Sequence, residues 1–269
     1  MQTMERAERV EDKSDFDLDW DDRHVVPPVV YPDLAFLFSQ LEEITIRTVD
    51  ARDGEEILDV GCGRATDAMQ LAERSGKCFG IEPSQNMIMH ALGQINQNGT
   101  HVVLLRGIGE HLPIRDDSFD KVVCKGALDH FASPARAVEE MARVIKPEGK
   151  VIITVANLES FSCRLGRAIF IRIRRLLRRE ESIYEKMWET PFDHTYRFDY
   201  ESLRRLVEPH LEVEECHGVS LMFGFPWWGM VLNKMPRPLS SVILKGLDKL
   251  ARRLPSLSDA IVITCRSKS

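Results

Sequence analysis

Between residues 55 and 155, apolar runs of four or five residues alternate with stretches of helical periodicity. That alternation restricts the chain to a mostly parallel sheet whose strands are joined by helical crossovers. Ile57-Leu-Asp-Val60, Cys78-Phe-Gly-Ile81, Val102-Val-Leu-Leu105, Lys121-Val-Val-Cys124 and residues 151–155 read as strands. Residues 64–75, 84 to about 93, and 133 to about 145 read as helices. Ser84 and Ser133 stand at N-cap positions, with Pro134 at the first helical position of the last. A helix at 34–49 comes before this unit. After it the pattern predicts a helix at 200–209, a strand at 211–216, an amphipathic helix at 239–254 and a final strand at 260–265. The fold class expected is α/β, a doubly wound, mostly parallel seven-stranded sheet with a helical insertion and cap.

The expected organisation follows from shifts in composition. Residues 1–24 are charged and poor in apolar groups, ending in Asp15-Phe-Asp-Leu-Asp-Trp-Asp-Asp22, and read as a flexible acidic leader. Residues 25–156 form a Rossmann-like, cofactor-binding core. Residues 157–198 are too long for a simple connection and predict a helical lid insertion. Residues 199–269 complete the core and carry a hydrophobic helical cap over 218–255. The 269 residues suffice for a large core, and no apolar run is long enough to span a bilayer. A net charge of -6 disfavours general binding to phosphate backbones. Cys62, Cys78, Cys124, Cys163, Cys216 and Cys265 are scattered, without metal-ligand spacing. They predict buried free thiols, no metal site and a cytoplasmic address.

In an open parallel sheet, ligands bind beyond the carboxyl ends of the strands. Three segments meet there. Gly61-Cys-Gly63 follows the first strand, and its glycines allow backbone to approach a ligand closely. Glu82 closes the second strand, where a carboxylate can accept both hydroxyls of a ribose. Residues 106–113 follow the third strand and can wall an adenine ring. Ribose recognition alone does not separate a nicotinamide dinucleotide from S-adenosylmethionine. Thr66 stands where a dinucleotide fingerprint has its third glycine, and Asp59 and Asp67 suit a ligand bearing an ammonium and a sulfonium.

Five ordered motifs sharpen this: Ile57-Leu-Asp-Val-Gly-Cys-Gly63, Gly80-Ile-Glu-Pro-Ser84, Gly109-Glu-His-Leu-Pro113 with Asp117-Ser-Phe-Asp120, Leu128-Asp-His130, and Glu140-Met-Ala-Arg-Val-Ile-Lys-Pro-Glu-Gly149. In order and spacing, residues 50 to 156 closely resemble the class I S-adenosylmethionine-dependent methyltransferases, especially the subgroup with the ubiquinone and menaquinone methyltransferases. Residues 194–213 and 260–268 resemble later family segments more loosely. The resemblance implies a Rossmann-like methyltransferase fold, S-adenosyl-L-methionine as cofactor and methyl transfer to a small-molecule acceptor. By position it implies Asp59, Gly61, Cys62 and Gly63 around the methionine portion and Glu82 at the ribose. It also implies Pro83 and Met87 flanking adenosine, Ile108, Gly109 and Glu110 bordering adenine, and the Lys125 backbone against the cofactor. Two positions depart from the pattern: Ile108 stands where an acid often accepts from the adenine amino group, and Ala65 where a third glycine is frequent.

In-line displacement on a methyl sulfonium needs alignment and water exclusion, and a base only when the acceptor keeps its proton. His130, just past the fourth strand, is the candidate base, with a packing role as the alternative. His194, beside Asp193 and near Tyr196, is a second candidate, with loop anchoring as its alternative. Residues 164–179 predict an amphipathic helix: Leu165, Ile169, Phe170, Ile173, Leu176 and Leu177 fall in an arc of about 140° at 100° per residue, opposite seven arginines. Such a helix suits peripheral contact with an anionic membrane and a hydrophobic acceptor, or a lid with solvated arginines. Other classes remain open: a nucleic-acid methyltransferase, an enzyme using the cofactor in non-methylating chemistry, or a catalytically idle binding protein.

Overall fold

The computed structural model describes residues 20–22, 30–177, 196–225 and 227–268. Among them, seven strands form one sheet in the order β3-β2-β1-β4-β5-β7-β6. β1 (Ile57–Val60), β2 (Cys78–Glu82), β3 (Val102–Arg106), β4 (Phe119–Lys125) and β5 (Ile145–Ala156) are parallel. β7 (Ala260–Ser267) pairs antiparallel with both β5 and β6 (Leu211–Val219). The strand order reverses beside β1, between β1 and β4, which opens the crevice at the carboxyl ends of these strands. β5 starts earlier than its apolar run because Ile145 already pairs with Phe119. The turn through Pro147 and Glu148 then sits inside the strand as a register shift, with Glu148 at φ 66°.

The pleat divides the core cleanly, since successive side chains point to opposite faces. Leu58, Val60, Val122, Cys124, Val151, Ile153, Ile261 and Ile263 pack on one face under α4 (Pro134–Val144) and α6 (Tyr200–Val207). Ile57, Val123, Ile152 and Val262 pack on the other under α1 (Pro32–Val49), α2 (Thr66–Ser75) and α3 (Gln85–Asn98). Helices on both faces make the sheet doubly wound, as its pattern predicts.

Helix ends show where local chemistry decides. Ser84 caps α3 as expected, its hydroxyl accepting from the Met87 N–H. The helix passes through Gly93 and stops at Gly99, which takes the left-handed conformation (φ 66°) that ends helices without a Cβ penalty. Ser133 precedes α4 but its hydroxyl makes no cap bond; its N–H instead donates to Glu110 Oε1 at 3.2 Å. The insertion begins with α5 (Phe161–Leu177). α7 (Trp228–Lys234) and α8 (Arg237–Ala251) follow β6. All six cysteines are free thiols, four of them buried.

α6 opens on a reciprocal capping box. Asp199 Oδ1 accepts from the Ser202 N–H at 2.7 Å, and Ser202 Oγ accepts from the Asp199 N–H at 2.8 Å. Replacing Asp199→Ala is expected to cost about 1 kcal/mol, read as a lower urea midpoint with an unchanged slope.

Candidate functional site

Glu82 ends β2 with its carboxylate buried, and two backbone donors hold it: the Gly63 N–H on Oε2 at 3.0 Å and the Ser84 N–H on Oε1 at 2.9 Å. Burial raises its pKa, opposed by those two N–H groups and by His130. A carboxylate has about four lone-pair sites, so each oxygen keeps one for a ligand hydroxyl. The Gly61 and Cys62 N–H groups both donate to Ile81 O, at 2.9 and 3.1 Å, which folds the turn after β1 back against β2. Glu82 and Gly61–Gly63 therefore meet at one edge of the sheet.

Gly61 sits at φ 75°, and a Cβ there would lie 2.5 Å from the Ala127 Cβ, so no side chain fits. At Gly109 a Cβ would come within 2.8 Å of the Phe131 ring. Both glycines are thus required by close packing against the segment after β4. Ala65, the position where glycine is frequent, is held at φ 57° and is fully buried. A methyl-bearing residue pays roughly 1–2 kcal/mol for that conformation. The loss of room is minor, and the strain is the larger consequence.

Asp59, Lys125 and Asp67 form a charged group behind the turn. Asp59 and Lys125 fall on the same face of the sheet as Ile57 and Val123, towards α2, which carries Asp67. Lys125 Nζ contacts Asp67 at 2.7 Å (Oδ1) and 2.6 Å (Oδ2). The Lys125 side chain therefore neutralises Asp67. Burial, then the nearby Asp67, push the Asp59 carboxyl up to about 8, against the pull of Lys125. A cation bound beside Asp59 would restore its charge, and that fits a ligand with an ammonium and a sulfonium.

The remaining expected residues divide into those that line the crevice and those that support it. The Cys62 thiol packs into the α2-side core beside Gly80, so only its backbone faces the turn, and burial pushes the thiol pKa up. Met87 is buried with its methyl 3.4 Å from the position a Gly63 Cβ would take. Pro83 O accepts from Arg106 Nε at 3.2 Å. Ile108 is half-buried, and its carbonyl accepts from the His111 N–H. The Glu110 carboxylate is directed at the start of α4, where an acid complements the helix dipole.

His130 lies on a short 3₁₀ turn, Leu128–His130, directly after β4. Its ring faces Trp20 at a centroid distance of 5.7 Å and stands 4.0 Å from Asp129 Oδ1. His194 and Asp193 lie outside the described residues. Tyr196 is anchored next to the same turn, its N–H donating to Asp129 O and its hydroxyl to Ala132 O, both at 3.1 Å.

The end of the acidic leader is not loose. Trp20 O accepts from Ser84 Oγ at 2.6 Å, and Asp22 takes a bidentate pair from Arg64 at 2.5 and 2.6 Å. Asp21 approaches His90 at 3.9 Å. These three residues strap the crevice across the turn after β1, the end of β2 and His130. Sequence reasoning missed them along with Arg64. The available signal was an aromatic residue between acids upstream of a basic residue in a glycine turn. Among the described residues, no group of three or more His, Cys, Asp or Glu side chains is arranged to hold a metal ion.

This architecture defines the class: a Rossmann-like α/β fold whose strand order reverses between β1 and β4. A methyltransferase-domain family model matches residues 58–153. The chain is similar to the uncharacterized methyltransferase YcgJ of Bacillus subtilis (strain 168), 31% identical over 120 residues, covering 44% of this chain and 47% of that protein. It is also similar to the demethylmenaquinone methyltransferase of Bacillus velezensis, 31% identical over 133 residues, covering 48% of this chain and 57% of the other. A solved S-adenosylmethionine-dependent methyltransferase from Aquifex aeolicus shares the fold at TM-score 0.56 and 15% identity, over 88% of this chain and 94% of that one. The chain spans about half the length of the curated relatives it matches.

The Asp59 carboxyl has a pH consequence in the cofactor-free protein. Its folded pKa, about 8, exceeds the ordinary 3.8. The stability it contributes is therefore complete below 3.8 and is lost as pH rises through about 8. Asp59→Asn is expected to match the parent near the low end of that window. It should exceed the parent in urea midpoint at the high end, the gap growing by at most about 1.4 kcal/mol per pH unit.

Proposed function

We propose that this chain is an S-adenosylmethionine-dependent methyltransferase acting on a small-molecule acceptor of hydrophobic character. The observation that carries the reading is Glu82, a buried carboxylate fixed by Gly63 and Ser84 beside the Gly61 turn. When bound, the cofactor supplies a methyl group already activated on a sulfonium. Glu82 accepts the ribose hydroxyls, and Asp59 faces the cationic end with Asp67 neutralised by Lys125. Pro83 and Met87 flank the adenosine. Ile108 and Gly109 border adenine by packing and backbone, with no acid at position 108 to take its amino proton.

The protein's work is alignment and exclusion of water. Trp20 stands over the crevice beside His130 and narrows the route by which water reaches the transferred methyl. His130 is the group at that edge able to take a proton from an acceptor hydroxyl or amine. We assign α5 and the segment of α7 and α8 to the acceptor side, with α5 as its lid. The apolar and basic faces of α5 favour a hydrophobic acceptor, and the six free thiols support an intracellular address. Among the described residues, no helix is long and apolar enough to cross a membrane.

Incubating the protein and candidate extracts with a deuterated-methyl cofactor, followed by mass spectrometry, is expected to show the added mass in one compound. Glu82→Ala is expected to weaken cofactor binding by roughly 100-fold in calorimetry, the worth of two hydrogen bonds to a charged group. Unchanged affinity in that variant would remove the ribose assignment, and no labelled product from any extract would remove methyl transfer.

A further inference from the structure

The segment 227–254 is unlike the rest of the surface. It carries Trp227, Met230, Val231, Leu239, Val242 and Leu250 exposed to solvent, with Trp227 at 55% and Val242 at 68%. α8 buries the row Ser240, Leu244, Asp248 and Ala251, and its outward side alternates Leu239, Val242 and Leu250 with Lys245, Lys249 and Arg253. Lys234 and Arg237 extend the basic rim across the joint between α7 and α8. The single acid in the segment, Asp248, is buried and is bonded to Arg252 Nε at 2.7 Å and to the Ser220 N–H at 3.1 Å. A chain of net charge -6 therefore presents a locally cationic, apolar face.

The face is also mounted rigidly. Ser220, Met222 and Trp227 all hold left-handed backbone, at φ 59°, 74° and 61°. Bulky residues keep such conformations only where the surroundings impose them. Here the Phe223 N–H donates to Asp259 Oδ2 at 2.9 Å, and the Asp259 N–H donates to Ser220 O at 3.0 Å. The loop thus delivers an exposed indole to the start of α7.

We propose that the α7–α8 face docks on an anionic lipid bilayer, with Trp227, Leu239 and Val242 entering the interface and the lysines and arginines meeting the headgroups. An amphipathic surface with large apolar side chains, an indole and a basic rim is the chemistry that binds such an interface. A second copy of the chain is a poorer occupant, because a two-fold contact would set these cations against one another. The outward side of α7 and α8 holds none of the residues assigned to the cofactor, and the proposal holds whether or not the chain transfers methyl groups.

The test is pelleting of the full chain, without cofactor, on vesicles of phosphatidylcholine alone and of phosphatidylcholine mixed with phosphatidylglycerol. Recovery is expected on the mixed vesicles, falling as salt is raised, and little on the neutral ones. Leu239→Glu with Val242→Glu, and separately Lys245→Glu with Lys249→Glu, are expected to lower apparent affinity at least about tenfold. Arg164→Gln with Arg172→Gln, on α5, should leave it unchanged. Leu239→Ser with Val242→Ser serves as the milder pair if the glutamates disturb folding, with thermal unfolding checking each variant. Equal recovery on both vesicles, full binding by the α8 variants, or loss confined to the α5 variant would overturn the proposal. So would lipid-free self-association that the α8 variants abolish, which would assign the face to a second copy.

Discussion

A single buried carboxylate joins the two loops on which the crevice depends. Taking a charge out of water costs several kcal/mol unless it is well bonded. At Glu82 the bonds come from the Gly63 N–H on one side and the Ser84 N–H on the other. Separating those loops would strand either the carboxylate or two buried donors, so the turn after β1 and the entry to α3 move as one piece. Ser84 extends the constraint in both directions. Its hydroxyl accepts from Met87 to start α3 and donates to Trp20 O, binding the leader to the same edge.

The charged group behind the turn follows from the parity of the pleat. Residues 57, 59, 123 and 125 face α2, and 58, 60, 122 and 124 face α4. Asp59 and Lys125 are thereby brought to Asp67 without any special loop. The ion pair between Lys125 and Asp67 then separates two acids that would otherwise behave alike: one is neutralised, and the other is left buried with its carboxyl pushed up to about 8. An unpaired cation arriving there is a favourable partner for Asp59 because the protein's own cation is already committed.

Much of this was legible before any coordinates. Four of the five apolar runs became strands within two residues, while β5 begins at Ile145, six residues before its run, because Ile145 pairs with Phe119 ahead of the turn. The meeting of the Gly61 turn with Glu82 was legible because each stands at the end of one of two neighbouring parallel strands. What failed had local causes. Gly93 looked like a stop and is carried inside α3, since glycine costs a helix only about 1 kcal/mol where packing holds it. Ser133 does stand at the N-cap of α4 with Pro134 next, but its hydroxyl makes no cap bond, and its own N–H goes to Glu110, 23 residues away in sequence. Trp20 to Asp22 read as solvated leader because Arg64 and Ser84, their partners, become neighbours only after the sheet has formed.

The loop after β6 shows the same logic with a different set of acids. Gly229 lets α7 lie against α1, since a Cβ there would meet Asp33 Oδ1 at 2.7 Å and Tyr31 Cβ at 2.8 Å. Asp33 itself is buried, with its pKa raised by that burial and opposed by backbone bonds from residues 33, 34 and 224. Asp33, Asp248 and Asp259 thus hold residues 220–224 from α1, α8 and the start of β7. Each supplies acceptors that a left-handed, irregular segment would otherwise have to find in water. Because β6 ends at Val219 opposite Ala260, and Ala260 pairs with Ala156 at the end of β5, that clamped loop rises from the same carboxyl edge as Glu82. The donor crevice and the apolar face are therefore two products of one sheet edge. Buried carboxylates fix the loops in both, and the residues left exposed between them are free to meet whatever binds.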